Sequence, residues 1–388
     1  MPALLVLLLS AFLLPSSAAA DEREEAARQS MEALYDLDYE DAMAHIRGHI
    51  DAAPADPFGY LFEAGLLFWR ETTEPGVLKS SAPMEARFLE DIDLAQALSH
   101  DWLASDSAAK RADAEFITGL TLGIRAQWEL TYGRWLKAYL DSRRGKRLQE
   151  RCLKNDPGYY DAHIGIGLYL YLTDRLPGIL GIGARWLIRG DAAKGKESLR
   201  IAMEKGRWPF AASQAASNLL TIYGAYEGDL PHALGVARHL LTRFPNSPYF
   251  RFAEILILAR SGDWTSSHER ALSLYDRAAQ DPAILGGKRK SMLCGLAGAD
   301  CLKPETLGPV VDWFTRALAA PGPAPSGWRS LCHLYRGVAL DILGKRPEAL
   351  TDYRAVQELP DHADFRAAAR SCILNPCTRD SVLRELQK

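Results

Sequence analysis

Apolar residues recur every three or four positions along most of this chain, in segments that Gly, Pro, Asp and Asn separate. Between residues 30 and 52 the apolar positions are Met31, Leu34 and Tyr35, followed by Tyr39, Ala42, Met43, Ile46 and Ile50. Sustained alternation of β-branched and polar residues does not occur, so the pattern predicts no strand. It predicts an all-α fold of consecutive helices, in which Pro54 ends the second helix.

One phrase returns along the chain: a turn, a small residue, an apolar residue four positions later, and a proline after the helix. Its copies begin at Leu37-Asp38, with Ala42, Ile46 and Pro54; at Gly228-Asp229, with Ala233, Ala237 and Pro245; and at Gly344-Lys345, with Ala349, Tyr353 and Pro360. This is the pattern of the second helix of a tetratricopeptide (TPR) repeat, a unit of roughly 34 residues. The sequence therefore predicts a right-handed α-solenoid of TPR-like helix-turn-helix repeats.

The clearest repeats are predicted near residues 23–56, 214–247 and 330–361. A degraded copy follows Gly262, with a short insertion expected around Ser266. The block 157–212 is less regular. Its segment 159–172 is apolar nearly all round, which predicts a central helix.

The first twenty residues have the pattern of an export signal. An apolar run from Pro2 to Leu14 precedes the small residues Ala18-Ala19-Ala20. The run is shorter than the roughly 20 apolar residues of a membrane span. We therefore predict a signal peptide at 1–20 and a mature solenoid at 21–388, exported to the periplasm or the extracellular space.

Charge and cysteine content narrow the choice of partners. The net charge is −3, which gives no basic footprint for nucleic acid. Six cysteines allow 15 pairings in an oxidising compartment. Cys372 and Cys377 flank a turn-forming segment and are the first predicted disulfide, and Cys294 with Cys301 is the second. Cys152 is predicted to be a buried thiol.

The middle block also carries a family resemblance. Its residues are Tyr160-Asp161-Ala162, Gly165, Gly167-Leu168-Tyr169, Tyr171, Asp174-Arg175-Leu176-Pro177, Gly190-Asp191, Lys194-Gly195 and Leu199. In these positions the chain resembles bacterial exported TPR proteins and, more distantly, the eukaryotic inclusion-body-clearance family of TPR proteins. The resemblance implies an α-solenoid without known catalytic residues.

Signatures of exported enzymes are incomplete in this sequence. The segment from Ser107 to Lys110 matches S-x-x-K, but the companion S-D-N and K-T-G elements are missing. His45 and His49 have the i, i+4 spacing of metal ligands, but no third ligand is evident. We interpret His49 as a packing residue and His45 as solvent-facing. No catalytic residue, metal site or cofactor is predicted.

Two groups of residues are candidates for binding. In TPR geometry the first helices line a concave groove, and the groove candidates are Tyr35, Asn218, Tyr226 and Asp341. An Asn amide can both donate to and accept from a peptide backbone. Ordinary surface exposure or packing between helices is the alternative for each of these residues.

The second group forms a predicted central pocket: Tyr169, Tyr171, Asp174, Arg175, Pro177, Trp186 and Asp191. Two interpretations stay open here. In the structural one, an Asp–Arg pair and an Asp191 N-cap hold a corner between repeats. In the functional one, these charges rim a pocket for an apolar ligand or touch lipid.

The leading hypothesis is a non-enzymatic, exported scaffold that binds a protein or peptide in the cell envelope. The second is a carrier of lipid or another small apolar ligand, and the third is an envelope enzyme or an accessory domain of one. The sequence predicts no oligomeric state.

Overall fold

The structure of the chain is a computed structural model that describes residues 18–73, 82–175, 190–280, 307–320, 328–360 and 365–377. In this part the chain forms sixteen α-helices and no strand. The helices are α1 Ala18–Tyr35, α2 Tyr39–Ala52, α3 Pro57–Thr73, α4 Ala82–Leu103, α5 Ala108–Thr131, α6 Trp135–Asn155, α7 His163–Arg175, α8 Ala192–Lys205, α9 Pro209–Thr221, α10 Leu230–Arg243, α11 Pro248–Arg260, α12 Trp264–Gln280, α13 Leu307–Ala319, α14 Trp328–Ile342, α15 Arg346–Glu358 and α16 Phe365–Leu374. A wider, π-helical turn, Ile222–Glu227, extends α9.

Each helix packs against the next one along the chain, both from α1 to α12 and from α13 to α16. The helices therefore form successive hairpins, as a solenoid requires. The all-α solenoid of TPR-like helix-turn-helix repeats that the sequence predicts is confirmed. Among the described residues, no helix combines the length and the apolar character that crossing a membrane requires.

Several turns between helices share one backbone conformation, which explains the returning phrase. In the described part of the chain, five turns contain a residue with positive φ: 69° at Leu37, 72° at Gly133, 67° at Gly228, 83° at Gly262 and 73° at Gly344. Four of the five are glycine, which adopts this left-handed conformation at no steric cost. In the copies at Asp38 and Asp229, the carboxylate then accepts the backbone N–H three residues later and caps the second helix.

Leu37→Gly should stabilise the protein by about 0.5 kcal/mol. Leucine in the left-handed region costs about 1–2 kcal/mol, and the greater freedom of glycine in the unfolded chain offsets about half of that. Equilibrium urea unfolding would measure the change. The reverse substitution, Gly228→Leu, should destabilise the protein. A loss of stability in Leu37→Gly would show that the packing of this half-buried side chain outweighs its backbone strain.

The solenoid closes on itself, because the first hairpin packs against α9 and α11. The ring of Tyr35 lies 4.7 Å from that of Phe244 and 4.6 Å from that of Phe250, measured between centroids. The hydroxyl of Ser247 donates a 2.6 Å hydrogen bond to the carbonyl of Tyr35. The described residues between 18 and 260 therefore enclose the concave side of their own superhelix.

Other sequence expectations have mixed outcomes. The insertion expected around Ser266 is absent: the adjacent Ser267 lies inside α12, is buried, and donates a 3.1 Å hydrogen bond to the carbonyl of Ile255. The disulfide between Cys372 and Cys377 is present, and Cys152 is a buried free thiol, so both predictions are confirmed. Cys294, Cys301, Pro177, Trp186 and the predicted signal peptide up to residue 17 lie outside the described residues.

Candidate functional site

The enclosed concave side contains two adjoining cavities, which we call the inner and outer cavities and, together, the chamber. The inner cavity, of about 100 Å³, lies between α1, α3, α5, α7 and α9, with one side chain from α2. The outer cavity, of about 420 Å³, lies between α5, α6, α7 and the π-helical turn. Leu120, Gln127 and Leu168 line both cavities, so the two are direct neighbours.

Glycines on the surrounding helices shape the chamber in two ways. Some bring helices close together: a Cβ on Gly145 would lie 2.7 Å from the carbonyl oxygen of Gly119, and one on Gly195 would lie 2.7 Å from the backbone nitrogen of Tyr171. Others leave space: a Cβ on Gly65 or Gly123 would meet no atom within 4 Å. Both of these line the chamber, where a side chain would occupy its volume.

The inner cavity is apolar apart from a few neutral polar groups. None of the described residues that line it is charged. The hydroxyl of Ser30 is already engaged, donating to the carbonyl of Ala42 at 2.9 Å. The half-buried amides of Gln214 and Asn218 make no side-chain hydrogen bond among the described residues. These amides are free to donate to and accept from the backbone of a bound peptide.

At the outer cavity, Lys146 and Arg175 are the charged members of its described lining. Lys146 forms a 2.6 Å ion pair with Glu150. The guanidinium of Arg175 lies 3.0 Å from the Glu227 carboxylate and 5.0 Å from the centre of the Tyr171 ring. Each of these cations has a carboxylate partner, but Arg175 shares Glu227 with Lys196, whose Nζ lies 2.7 Å from the same carboxylate.

Tyr171 lines the outer cavity, and its side chain is fully buried. Burial, assisted by the negative charge of Glu227, raises the pKa of Tyr171 to about 12. The hydroxyl is therefore protonated at neutral pH.

The structure brings together five of the predicted site residues. Asn218 lines the inner cavity, while Tyr169, Tyr171, Arg175 and Tyr226 line the outer one. The sequence placed Asn218 and Tyr226 in one group and the other three in another, whereas the structure joins both groups in one chamber. Their part in binding stays a prediction.

Two predicted groove residues lie elsewhere. Tyr35 is fully buried where the solenoid closes, so it is not available to a ligand. The Asp341 side chain is 1% exposed and accepts hydrogen bonds from the Tyr353 hydroxyl at 2.8 Å and the Cys377 N–H at 3.1 Å. It fastens α14 to α15 and to the disulfide loop. The prediction that these two residues line the groove is wrong, because both side chains are buried in contacts within the protein.

The predicted charge pair next to the chamber does not form. Asp174 is exposed and makes no ion pair among the described residues, and Arg175 pairs with Glu227 instead. The predicted N-cap is confirmed: Asp191 precedes α8 and accepts the Lys194 N–H at 3.0 Å. The corner is therefore held by this cap and by the contact of α7 with α8.

Sequence reasoning missed the residues that create the empty space. Gly123 lies inside an otherwise well-formed helix, where glycine costs about 1 kcal/mol relative to alanine. That cost was the available signal, since a glycine in a helix interior suggests close packing or open space. Gln214 was also missed, one helical turn before Asn218.

His49, one of the two histidines with metal-ligand spacing, is buried beside a carboxylate. His49 is 9% exposed, and its Nε2 lies 3.2 Å from the Asp56 carboxylate, which also pairs with Arg23 at 2.9 Å. Its interpretation as a packing residue is confirmed. The described parts of the chain contain no group of three His, Cys, Asp or Glu residues placed to hold a metal ion.

Successive hairpins, a shared turn conformation and first helices on the concave side define a TPR-like α-solenoid. No protein-family model matches this chain, and no curated protein matches it. Among solved structures, the chain is similar to the crystal structure of the P58(IPK) TPR domain, with 14% sequence identity and a TM-score of 0.25. That similarity covers 95% of this chain and 99% of the other, and it carries no information about function.

Proposed function

We propose that this chain is a non-enzymatic, exported scaffold that binds an apolar segment of a protein partner in its chamber. The observation that carries this proposal is the chamber itself: an apolar concave lining with open positions at Gly65 and Gly123 and two unengaged amides. Export to the periplasm or extracellular space is supported by the apolar run from Pro2 to Leu14 and the small residues after it.

The chemistry of the chamber selects for an uncharged segment. Each Leu, Val or Phe side chain that enters contributes about 1.5–3 kcal/mol through burial. A charged side chain would lose several kcal/mol of hydration, because the inner cavity has no described counter-charge. The amides of Gln214 and Asn218 would fix the segment by bonding its backbone, so the apolar side chains provide affinity and the amides provide orientation.

Gly123→Leu should abolish binding of the partner without unfolding the protein. The new side chain would project into the chamber, while leucine favours the helix over glycine by about 0.8 kcal/mol. The matched control is Gly235→Leu, since Gly235 is also inside a helix and also has no atom within 4 Å of an added Cβ, but is exposed outside the chamber. Tagged proteins would be isolated from the exported fraction after crosslinking, and bound proteins identified by mass spectrometry.

The wild type and Gly235→Leu should capture the same partner, and Gly123→Leu should not. If all three capture it equally, the chamber is not the binding site. Melting temperatures of the three proteins establish that a loss of capture is not a loss of fold.

A second candidate function is the binding of a lipid or another small apolar molecule. It is favoured by the volume of the outer cavity, about 420 Å³, and by the apolar and aromatic side chains that form most of its described lining. Organic extraction of the purified wild type and of both glycine variants would decide between the candidates. A lipid that is present in the wild type and Gly235→Leu but absent from Gly123→Leu, without a captured protein, would favour the carrier.

A further inference from the structure

Helix α6 displays large apolar side chains to solvent next to the outer cavity. Trp135 is 41% exposed, Leu136 is 73% exposed and Leu140 is 54% exposed. Leu136 and Leu140, four residues apart, form an apolar patch on one side of the helix, and Trp135 lies beside it at the N-terminal end. Exposed clusters of this kind are typical of interaction sites rather than of a surface in contact with water alone.

The same face of α6 becomes strongly basic one turn further on. Arg143, Arg144 and Arg147 are exposed, and the spacing of three and four residues from Leu136 and Leu140 places them on one stripe. None of the three forms an ion pair among the described residues. We call Trp135, Leu136, Leu140, Arg143, Arg144 and Arg147 the α6 face.

Carboxylates near α6 are engaged by other cations and leave this face positive. Glu129 pairs with Lys137 at 2.8 Å and also with Arg134, and Glu150 pairs with Lys146 at 2.6 Å. Glu115 pairs with Arg151 at 2.9 Å, and the buried Asp141 pairs with Arg125 at 2.8 Å. The three arginines are thus a local excess of positive charge on a chain whose net charge is −3.

We propose that the α6 face docks on the surface of an anionic phospholipid membrane. Phospholipid phosphates would contact the three arginines, and the boundary between headgroups and acyl chains would accept the apolar side chains. Trp135 has the amphipathic ring that favours this boundary. From Leu136 to Arg147 the stripe is about 16 Å long, so the helix lies along the membrane surface rather than across it.

Trp135 also lines the outer cavity, together with the 54% exposed Tyr226, so the N-terminal end of the α6 face borders the mouth of that cavity. The inference does not depend on the proposed function, because it rests on the outer surface of α6 and not on what fills the chamber.

Co-sedimentation of the purified protein with vesicles tests the proposal. Vesicles of phosphatidylcholine alone are compared with vesicles that contain phosphatidylglycerol, at low and physiological salt. Two variants remove the apolar or the basic part of the face: Leu136→Ser with Leu140→Ser, and Arg143→Gln with Arg144→Gln and Arg147→Gln. The controls are Leu374→Ser, at a leucine that is 79% exposed, and Arg354→Gln, at an exposed arginine with no ion pair among the described residues.

The wild type and both controls should bind phosphatidylglycerol vesicles and not neutral ones. Each arginine near an anionic surface is worth about fivefold in affinity, so the triple variant should bind about a hundredfold more weakly. The leucine variant should lose at least about tenfold through its missing apolar burial. Binding should weaken with salt, which screens exposed charges.

The proposal is overturned if the wild type does not bind anionic vesicles more strongly than neutral ones, or if both variants bind like the wild type. If the wild type does not bind vesicles, and the variants fail to capture a protein that the wild type captures, the α6 face is a protein interface. None of these results bears on the chamber, which Gly123→Leu tests separately.

Discussion

Gly145→Ala should lower the free energy of unfolding by about 2 kcal/mol, whereas Gly123→Ala should raise it by up to about 1 kcal/mol. A Cβ at position 145 would lie 2.7 Å from the carbonyl oxygen of Gly119 and 3.3 Å from the Cβ of Leu122. The nearest atom belongs to the backbone of α5, so the clash is relieved only by separating two extensively packed helices. Such overpacking costs about 1–3 kcal/mol.

At position 123 the added methyl group meets no atom, so the gain in helix propensity of about 1 kcal/mol remains. Equilibrium urea unfolding of the two variants would measure a difference of about 3 kcal/mol between them. The pair is well matched, because both glycines lie inside neighbouring helices. Equal effects of the two substitutions would show that α5 and α6 do not depend on the close approach at Gly119 and Gly145.

Asp91→Asn should stabilise the protein at pH 8 and have almost no effect at pH 4. Asp91 is fully buried, and neither carboxylate oxygen makes a hydrogen bond, although the Nε of Arg87 lies 3.2 Å from Oδ1. Burial and the charge of Glu63 raise the pKa of this carboxyl from 3.8 to about 7, while Arg87 opposes the shift. The folded state thus holds a proton that the unfolded state has already released.

The sign of the effect follows from that difference. Between about pH 4 and pH 7 the folded protein binds more protons at this site than the unfolded chain, so stability falls as the pH rises through this window. A neutral asparagine has no such dependence. A shift of this size bounds the effect at about 4 kcal/mol, and we expect about 2 kcal/mol above pH 7 once local relaxation is allowed.

Unfolding free energies of the wild type and Asp91→Asn would be measured from pH 4 to pH 8.5. The control is Asp93→Asn on the same helix, since the side chain of Asp93 is 77% exposed. Asp93→Asn should follow the wild type at every pH. A constant difference between Asp91→Asn and the wild type across this range would contradict the raised pKa.

The local parts of this fold could be predicted from the sequence. The phrase that begins at Gly228-Asp229 specifies a left-handed turn residue, then an N-cap, then a helix, and each step depends on neighbouring residues alone. The same holds for the Asp191 cap and for the disulfide between Cys372 and Cys377, five residues apart.

The closure of the solenoid could not be predicted in this way. Tyr35 meets Ser247 and Phe250 across more than 200 residues, and helical periodicity shows only that Tyr35 faces some apolar neighbour. Asp341 was assigned to a groove for the same reason. Its true partners lie on the next helix and at the end of the disulfide loop, and neither is evident from the face of its own helix.

Five of the predicted site residues line one chamber, but the contacts that they make were not predicted. Adjacent residues on a helix do not face each other, so Asp174 and Arg175 do not form an ion pair. Arg175 instead pairs with Glu227, which is 52 residues away in the sequence. The chamber itself is defined by missing side chains at Gly65 and Gly123. In the sequence, a glycine that allows a neighbouring helix to approach cannot be told from a glycine that leaves a cavity. Only the packing of the helices distinguishes the two.

Photo-crosslinking from within the chamber tests the central claim most directly. A photoreactive phenylalanine would replace Tyr226, at the mouth of the outer cavity, and in a second protein it would replace the exposed Leu374 as a control. After irradiation of the native cells, mass spectrometry would identify the attached molecules. An uncharged, apolar protein segment crosslinked at position 226 and absent at position 374 is the predicted result; no adduct at position 226, or the same adducts at both positions, would contradict a binding role for the chamber.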